Sequence, residues 1–114
     1  MEWSYEEHEG RTVVRMTGDC DLYSAPRFKA AVIDKVESGT GRLLIDLSAV
    51  RYLDSTGVGA LISILQLMKQ RGGELRFRGV TGSPKRVLEM SGIISLMKME
   101  VPAGREISAT GRTN

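Results

Sequence analysis

Apolar and polar residues alternate through WSYEEH and RTVVRMTG on either side of Gly10, a period of two that predicts two strands joined by a turn. The period then lengthens. In YSAPRFKAAVIDKVES, Phe28, Ala31, Val32 and Val36 recur at helical spacing, with Ser24 as cap and Pro26 in the first turn, where a missing N–H costs nothing. The glycines of ESGTG close this helix. RLLIDL is nearly continuous apolar sequence, as expected of an interior strand covered on both faces. After a polar break, the run VGALISILQLM places a second helix over residues 55 to 71, ended by Gly72-Gly73. ELRFRG alternates strictly, with Leu75 and Phe77 on one face and Arg76 and Arg78 on the other. GSPKRVLEMSG predicts a third helix, with Ser83 as cap, Pro84 at the first helical position and Gly92 at its end. MKMEV predicts a short last strand. From Pro102 the sequence PAGREISATGRTN is polar and without periodicity, so one domain over residues 1 to 101 and a flexible tail over 102 to 114 are expected.

The order is β-β-α-β-α-β-α-β. Helices between the later strands imply right-handed parallel crossovers, hence an α/β domain built on a mixed sheet. The second helix is unusually apolar. At 100° per residue Val58, Leu61, Ile62, Leu65 and Met68 fall on one side, and Ala60, Ile64 and Leu67 widen the arc to about 220°. An ordinary surface helix needs a stripe of only ≳ 100°. Either neighbouring helices bury both flanks, or the flank carrying Ile64 and Leu67 meets another protein.

Composition narrows the chemistry. Hydrophobic content of 41% and charged content of 26% are those of an ordinary globular domain, and a net charge of +2 implies no grip on nucleic acid. One Cys and one His cannot assemble a thiolate/imidazole zinc cluster, and Cys20 alone excludes an internal disulfide. The acidic N-terminus MEWSYEEHEG lacks the apolar region of a secretory signal, and Ser63 and Gln66 interrupt the longest apolar run before it reaches the ~20 residues of a membrane span. No membrane contact and a cytoplasmic location are expected, with no cofactor.

Chemistry-bearing residues concentrate in Asp54-Ser55-Thr56-Gly57, between RLLIDL and the second helix. Read structurally, Asp and Ser are favoured N-caps whose oxygens accept the unpaired N–H groups of a first turn. Read functionally, one of the two hydroxyls is the working group. Other constellations are thinner. Gly57-Val58-Gly59 lacks the third glycine of a dinucleotide fingerprint, Ile62 standing in its place. Asp46 after an apolar strand has only Asp54 to help it hold the Mg²⁺ of a phosphatase. His8 has no second ligand. Arg71, Arg76, Arg78, Lys85 and Arg86 make either a solvated face or a complement to an acidic partner.

The stretch LLIDLSAVRYLDSTGVGALISILQLMKQRGGELRFRGV resembles the core of the STAS domain, in particular that of bacterial anti-sigma-factor antagonists. The matching features are Asp-Leu-Ser at the end of the apolar strand, Asp54-Ser55-Thr56-Gly57 at the helix start, Arg71-Gly72-Gly73 before the next strand, and Leu88 through Gly92. Upstream, Gly18-Asp19-Cys20-Asp21 resembles the family's Gly-Glu-Leu-Asp, with Ser24-Ala25 at the expected distance. Cys20 replaces an aliphatic residue, and Leu96 and Met97 stand where an aromatic is common. The resemblance covers roughly residues 3 to 100 and implies a STAS-like fold with helices mainly on one face of the sheet.

It also implies a non-enzymatic phospho-switch. The unmodified protein would bind an anti-sigma factor that is also a serine kinase, freeing a sigma factor. Phosphorylation at Ser55 would end that binding, and a serine phosphatase would restore it. Asp21, Ser24, Asp54, Thr56 and Gly57 would share the partner-binding edge with Ser55, and Ile64 and Leu67 would extend it. A STAS scaffold or lipid-transport accessory without phosphorylation is the alternative, and a small phosphohydrolase a more distant one.

Overall fold

The computed structural model describes residues 1–100, so the expected tail over 102–114 lies outside the described residues. The elements are β1 (Glu2–His8), β2 (Arg11–Cys20), α1 (Ala25–Glu37), β3 (Arg42–Leu53), α2 (Ser55–Gln70), β4 (Glu74–Arg78), α3 (Gly82–Ser91) and a 3-10 turn over Ile93–Leu96. They form one sheet in the order β1-β2-β3-β4. The β1–β2 pair is antiparallel, closed by a two-residue turn in which Glu9 and Gly10 both have positive φ (53° and 79°). The β2–β3 and β3–β4 pairs are parallel, as the crossovers through α1 and α2 require.

Strand β3 runs six residues beyond the apolar RLLIDL, through SAVRYL to Leu53. The register explains why. Arg15 pairs with Asp46 and Thr17 with Ala49, then Gly18 with Val50 and Asp19 with Tyr52, so β3 carries one extra residue at each shift. Each bulge resets the alternation of faces. Buried residues therefore recur at Leu47, Val50 and Leu53, every third position, and the segment does not read as a strand. Gly79 closes over the first bulge. A Cβ there would lie 2.6 Å from the Ser48 amide nitrogen.

One hydrophobic cluster joins the helices to the sheet, drawing Val14 and Met16 from β2, Ile45 and Leu47 from β3, Phe77 from β4, Phe28 and Val32 from α1, Leu61 and Met68 from α2, and Leu88 from α3. Ile64 belongs to it too, with 0% exposure. It therefore offers no surface to a partner, contrary to the expectation from the wide apolar arc. Of the two readings of that arc, neighbouring elements bury the flank at Ile64, while Leu67 is half-buried.

On the opposite face, Arg15, Asp46 and Arg78 are register partners across three strands. Asp46 Oδ2 lies 3.2 Å from Arg78 Nη2 and 3.8 Å from Arg15 Nη1. Its other oxygen accepts the Ser48 amide at 2.9 Å and hydroxyl at 2.7 Å. Burial pushes the Asp46 carboxyl up, but these hydrogen bonds and the Arg78 guanidinium outweigh it and hold the group below its ordinary range. A carboxylate committed this way is structural, and among the described residues no three His, Cys, Asp or Glu side chains cluster to hold a metal.

Three local expectations change. Ser24 holds the N-cap position of α1, yet its side chain makes no capping bond. Helix α3 starts at Gly82 after Thr81, so Ser83 is inside the helix and Pro84 one residue further in, still in the first turn. MKMEV contributes an isolated parallel bridge between Met99 and Phe77, with Val101 outside the described residues. Gly92 (φ 82°) turns the chain out of α3, and Ile93 and Met97 go into the core before Met99 reaches the edge of the sheet at Phe77.

Candidate functional site

The C-terminal ends of β2 and β3 lead into the turn before α1 and the start of α2, and this edge gathers most of the predicted site. Asp54 is extended (φ −102°, ψ −174°), the geometry of an N-cap, and its Oδ1 accepts the Gly57 N–H at 2.9 Å. Its Oδ2 accepts the Leu22 N–H at 3.0 Å, from a residue thirty-two positions earlier in the chain. The Asp54 N–H donates to the Cys20 carbonyl at 3.2 Å. One residue therefore caps α2 and ties it to the β2–α1 turn.

That turn is organised by Asp21 and Ser24. Asp21 Oδ1 accepts the N–H groups of Tyr23 (3.0 Å) and Ser24 (3.1 Å). The Ser24 hydroxyl accepts the Asp21 N–H at 3.0 Å and lies 2.9 Å from the Asp19 carbonyl oxygen and 3.0 Å from Asp21 Oδ1. Ser24 is only 5% exposed, which makes it an internal brace of the turn. The Ser24 backbone N–H, with the Ser24 hydroxyl and the Tyr23 N–H, holds the Asp21 carboxyl below its ordinary range.

Ser55 is the first residue of α2 and is exposed. Its hydroxyl stands at the positive end of a sixteen-residue helix, a place suited to a phosphate. Thr56 is half-buried and lines a shallow groove of about 300 Å³ between α1 and α2 with Ala25, Lys29 and Ser63. Gly57 is required by packing. A Cβ there would lie 2.6 Å from Leu53 Cδ1 and 2.7 Å from the Cys20 carbonyl oxygen. The first turn of α2 thus rests directly on the strand ends. The Cys20 thiol beneath it is pushed up to about 11 by burial and by the Asp54 and Asp21 charges, and stays protonated at neutral pH.

The family model described as STAS domain matches residues 2–103. The chain belongs to the STAS-domain family. This STAS domain is 31% identical over 94 residues to the anti-sigma-B factor antagonist of Staphylococcus aureus (strain NCTC 8325 / PS 47), covering 82% of the chain and 85% of the relative. It is 30% identical over 88 residues to the anti-sigma-B factor antagonist of Bacillus subtilis (strain 168), covering 77% and 80%. The solved structure of the anti-sigma factor antagonist SpoIIAA in its unphosphorylated form shares the fold, with a TM-score of 0.76 and 16% identity over 99% of this chain and all of that one.

Asp21, Ser24, Asp54, Ser55, Thr56 and Gly57 come together in this STAS domain. Ile64 and Leu67 do not join them: at 1.5 Å per residue they stand about 14 and 18 Å along α2 from Ser55. Sequence reasoning passed over Leu22 and Tyr23, which lie between Asp21 and Ser24 and are 61% and 83% exposed. Two large apolar residues inside a short polar turn were the available signal. Of the basic residues, Arg76 bonds to Glu74 at 2.9 Å and Arg78 to Asp46, so these two serve the sheet. Among the described residues no helix is long and apolar enough to cross a membrane.

Proposed function

We propose that this STAS domain is an anti-sigma-factor antagonist working as a phospho-switch at Ser55. Unphosphorylated, it binds an anti-sigma factor with serine-kinase activity in the cytoplasm and frees the sigma factor. Phosphate on Ser55 ends that complex, and a serine phosphatase renews it. The observation that carries this reading is an exposed serine at the first position of α2, beside a carboxylate already committed to the cap and to the neighbouring turn. Two curated relatives bearing the name anti-sigma-B factor antagonist support it. In this reading phosphoryl transfer is the work of the partner. ATP belongs to the partner.

The physics separates folding from binding. A phosphate adds about −1.5 to −2 charges at pH 7. At the helix N-terminus that charge gains about 0.3–1 kcal/mol, and Asp54 offsets part of the gain. Folding changes little. At an interface the same charge must be desolvated next to Asp54, and about 3 kcal/mol of such cost weakens binding roughly a hundredfold.

Incubation with the purified anti-sigma kinase of the source organism and ATP, followed by peptide mapping, tests the reading. Ser55→Ala should bind and accept no phosphate. Ser55→Asp should fold as wild type and lose the partner, while Thr56→Ala should still be phosphorylated. Phosphate on Thr56 alone, or a Ser55→Asp variant that binds as tightly as wild type, overturns the mechanism.

A further inference from the structure

We propose that Leu22 and Tyr23 form the apolar anchor by which the domain docks on the kinase of the proposed switch, with Asp54 as the positioning residue that holds this anchor beside Ser55. The inference rests on the function proposed above and adds to it the surface that confers affinity.

Large apolar side chains exposed singly need no explanation. These two are different because the backbone beneath them is locked. The Leu22 N–H is held by Asp54 Oδ2, the Tyr23 N–H by Asp21 Oδ1, and the following Ser24 by both the Asp21 carboxylate and the Asp21 carbonyl. A tyrosine with only two side-chain torsions, presented from a pre-ordered turn, gives large contact area at low entropic cost, the usual property of an interface anchor. The Asp54 carboxylate that receives the Leu22 N–H belongs to the residue immediately before Ser55. A kinase that brings Ser55 to its ATP must cover this edge, and Leu22 and Tyr23 are then inside the contact.

The surface also states what the partner must look like. Asp21 and Asp54 put negative charge around the anchor, so the complementary face is an apolar pocket with a basic rim. Met90, as exposed as Tyr23 at 83%, is on α3 and serves as an internal control. Asp54→Ser separates capping from tethering. Serine remains a good N-cap, but its single oxygen cannot hold the Gly57 and Leu22 N–H groups together.

The test is titration calorimetry of the full chain against the purified anti-sigma kinase of the source organism, with light scattering and amide exchange on the same variants. Leu22→Ala and Tyr23→Ala should each weaken binding at least tenfold, while Met90→Ala stays within twofold of wild type. Asp54→Ser should keep its helix content, exchange the Leu22 amide faster and bind at least threefold more weakly. Wild-type affinity in both Leu22→Ala and Tyr23→Ala overturns the anchor, as does an equal loss in Met90→Ala. A change of self-association confined to the Leu22 and Tyr23 variants reassigns the turn to a second copy of the chain. If wild type binds the kinase and Ser55→Asp does not, a failure of the Leu22 and Tyr23 variants to weaken binding removes this inference alone. Failure of wild type to bind removes the proposed function and the anchor with it.

Discussion

Gly57 and Gly59 sit two residues apart at the start of α2 and answer to different constraints. A Cβ on Gly57 would run into the Cys20 carbonyl, whereas nothing lies within 4 Å of one on Gly59. Gly57→Ala should therefore cost about 1–3 kcal/mol through forced displacement of the strand end. Gly59→Ala should stabilise by about 0.5–1 kcal/mol, the ordinary advantage of alanine inside a helix. Denaturant melts of the two variants check both signs. Asp21 sets a pH response at the same edge. Its folded pKa lies below its ordinary value, so the bonds it accepts contribute fully above the unfolded pKa of about 3.9 and are lost as pH falls through the folded one. Exchange protection of the Tyr23 and Ser24 amides should be flat above about pH 4 and drop below it, with no such step in Asp21→Asn.

Helix α2 shows how element-level patterning can mislead about a face. Of the arc of about 220° that invited a partner, α1, the sheet and α3 bury Val58, Ala60, Leu61, Ile64 and Met68, while Ile62, Leu65 and Leu67 stay half-buried. Ile64→Ala should cost about 2–5 kcal/mol of stability, and Leu67→Ala less than half as much, since Leu67 is only half-buried. Thermal melts rank the two. The folded fraction of Ile64→Ala should bind the kinase as wild type does, because the residue lies about 14 Å along the helix from Ser55 and below the surface.

Over the whole molecule, polar contacts on the open face of the sheet join segments far apart in sequence. Arg11 Nη2 lies 2.7 Å from Glu100 Oε2, bridging 89 positions, and Asp46 holds β2 and β4 to β3. The Arg11 hydrogen bond holds Glu100 below its ordinary range, in the same direction as Asp46. Depressed carboxylates contribute stability above their unfolded pKa values of about 4 and lose it as pH falls through the folded values. Acid unfolding below about pH 4 should accordingly be shallower in Asp46→Ala. At neutral pH that variant should be less stable by about 1–3 kcal/mol, because the Ser48 amide loses its acceptor and Arg78 its partner. Calorimetric titration with ATP should show no micromolar binding, since the chain has no phosphate-cradling loop.

The sequence by itself determined the order of elements through α3, the mixed sheet and the cap of α2. Each is written in local spacing: the period of two around Gly10, the helical recurrence of Phe28, Val32 and Val36, and an Asp three residues before the glycine N–H that it accepts. The resemblance around Asp54-Ser55-Thr56-Gly57 brought the family within reach from the same letters. Other features depend on what each element meets, which no local period encodes. Bulges in β3 erased the alternation that would have extended it to Leu53. Ser24 became a brace under the Asp21 turn because the end of β2 stands beside it. Ile64 went inside because neighbouring elements cover the flank that its own helix leaves open. Only the packing of α2 on the strand ends brings the second Asp54 oxygen to the Leu22 amide, tying the β2–α1 turn to the residue before Ser55.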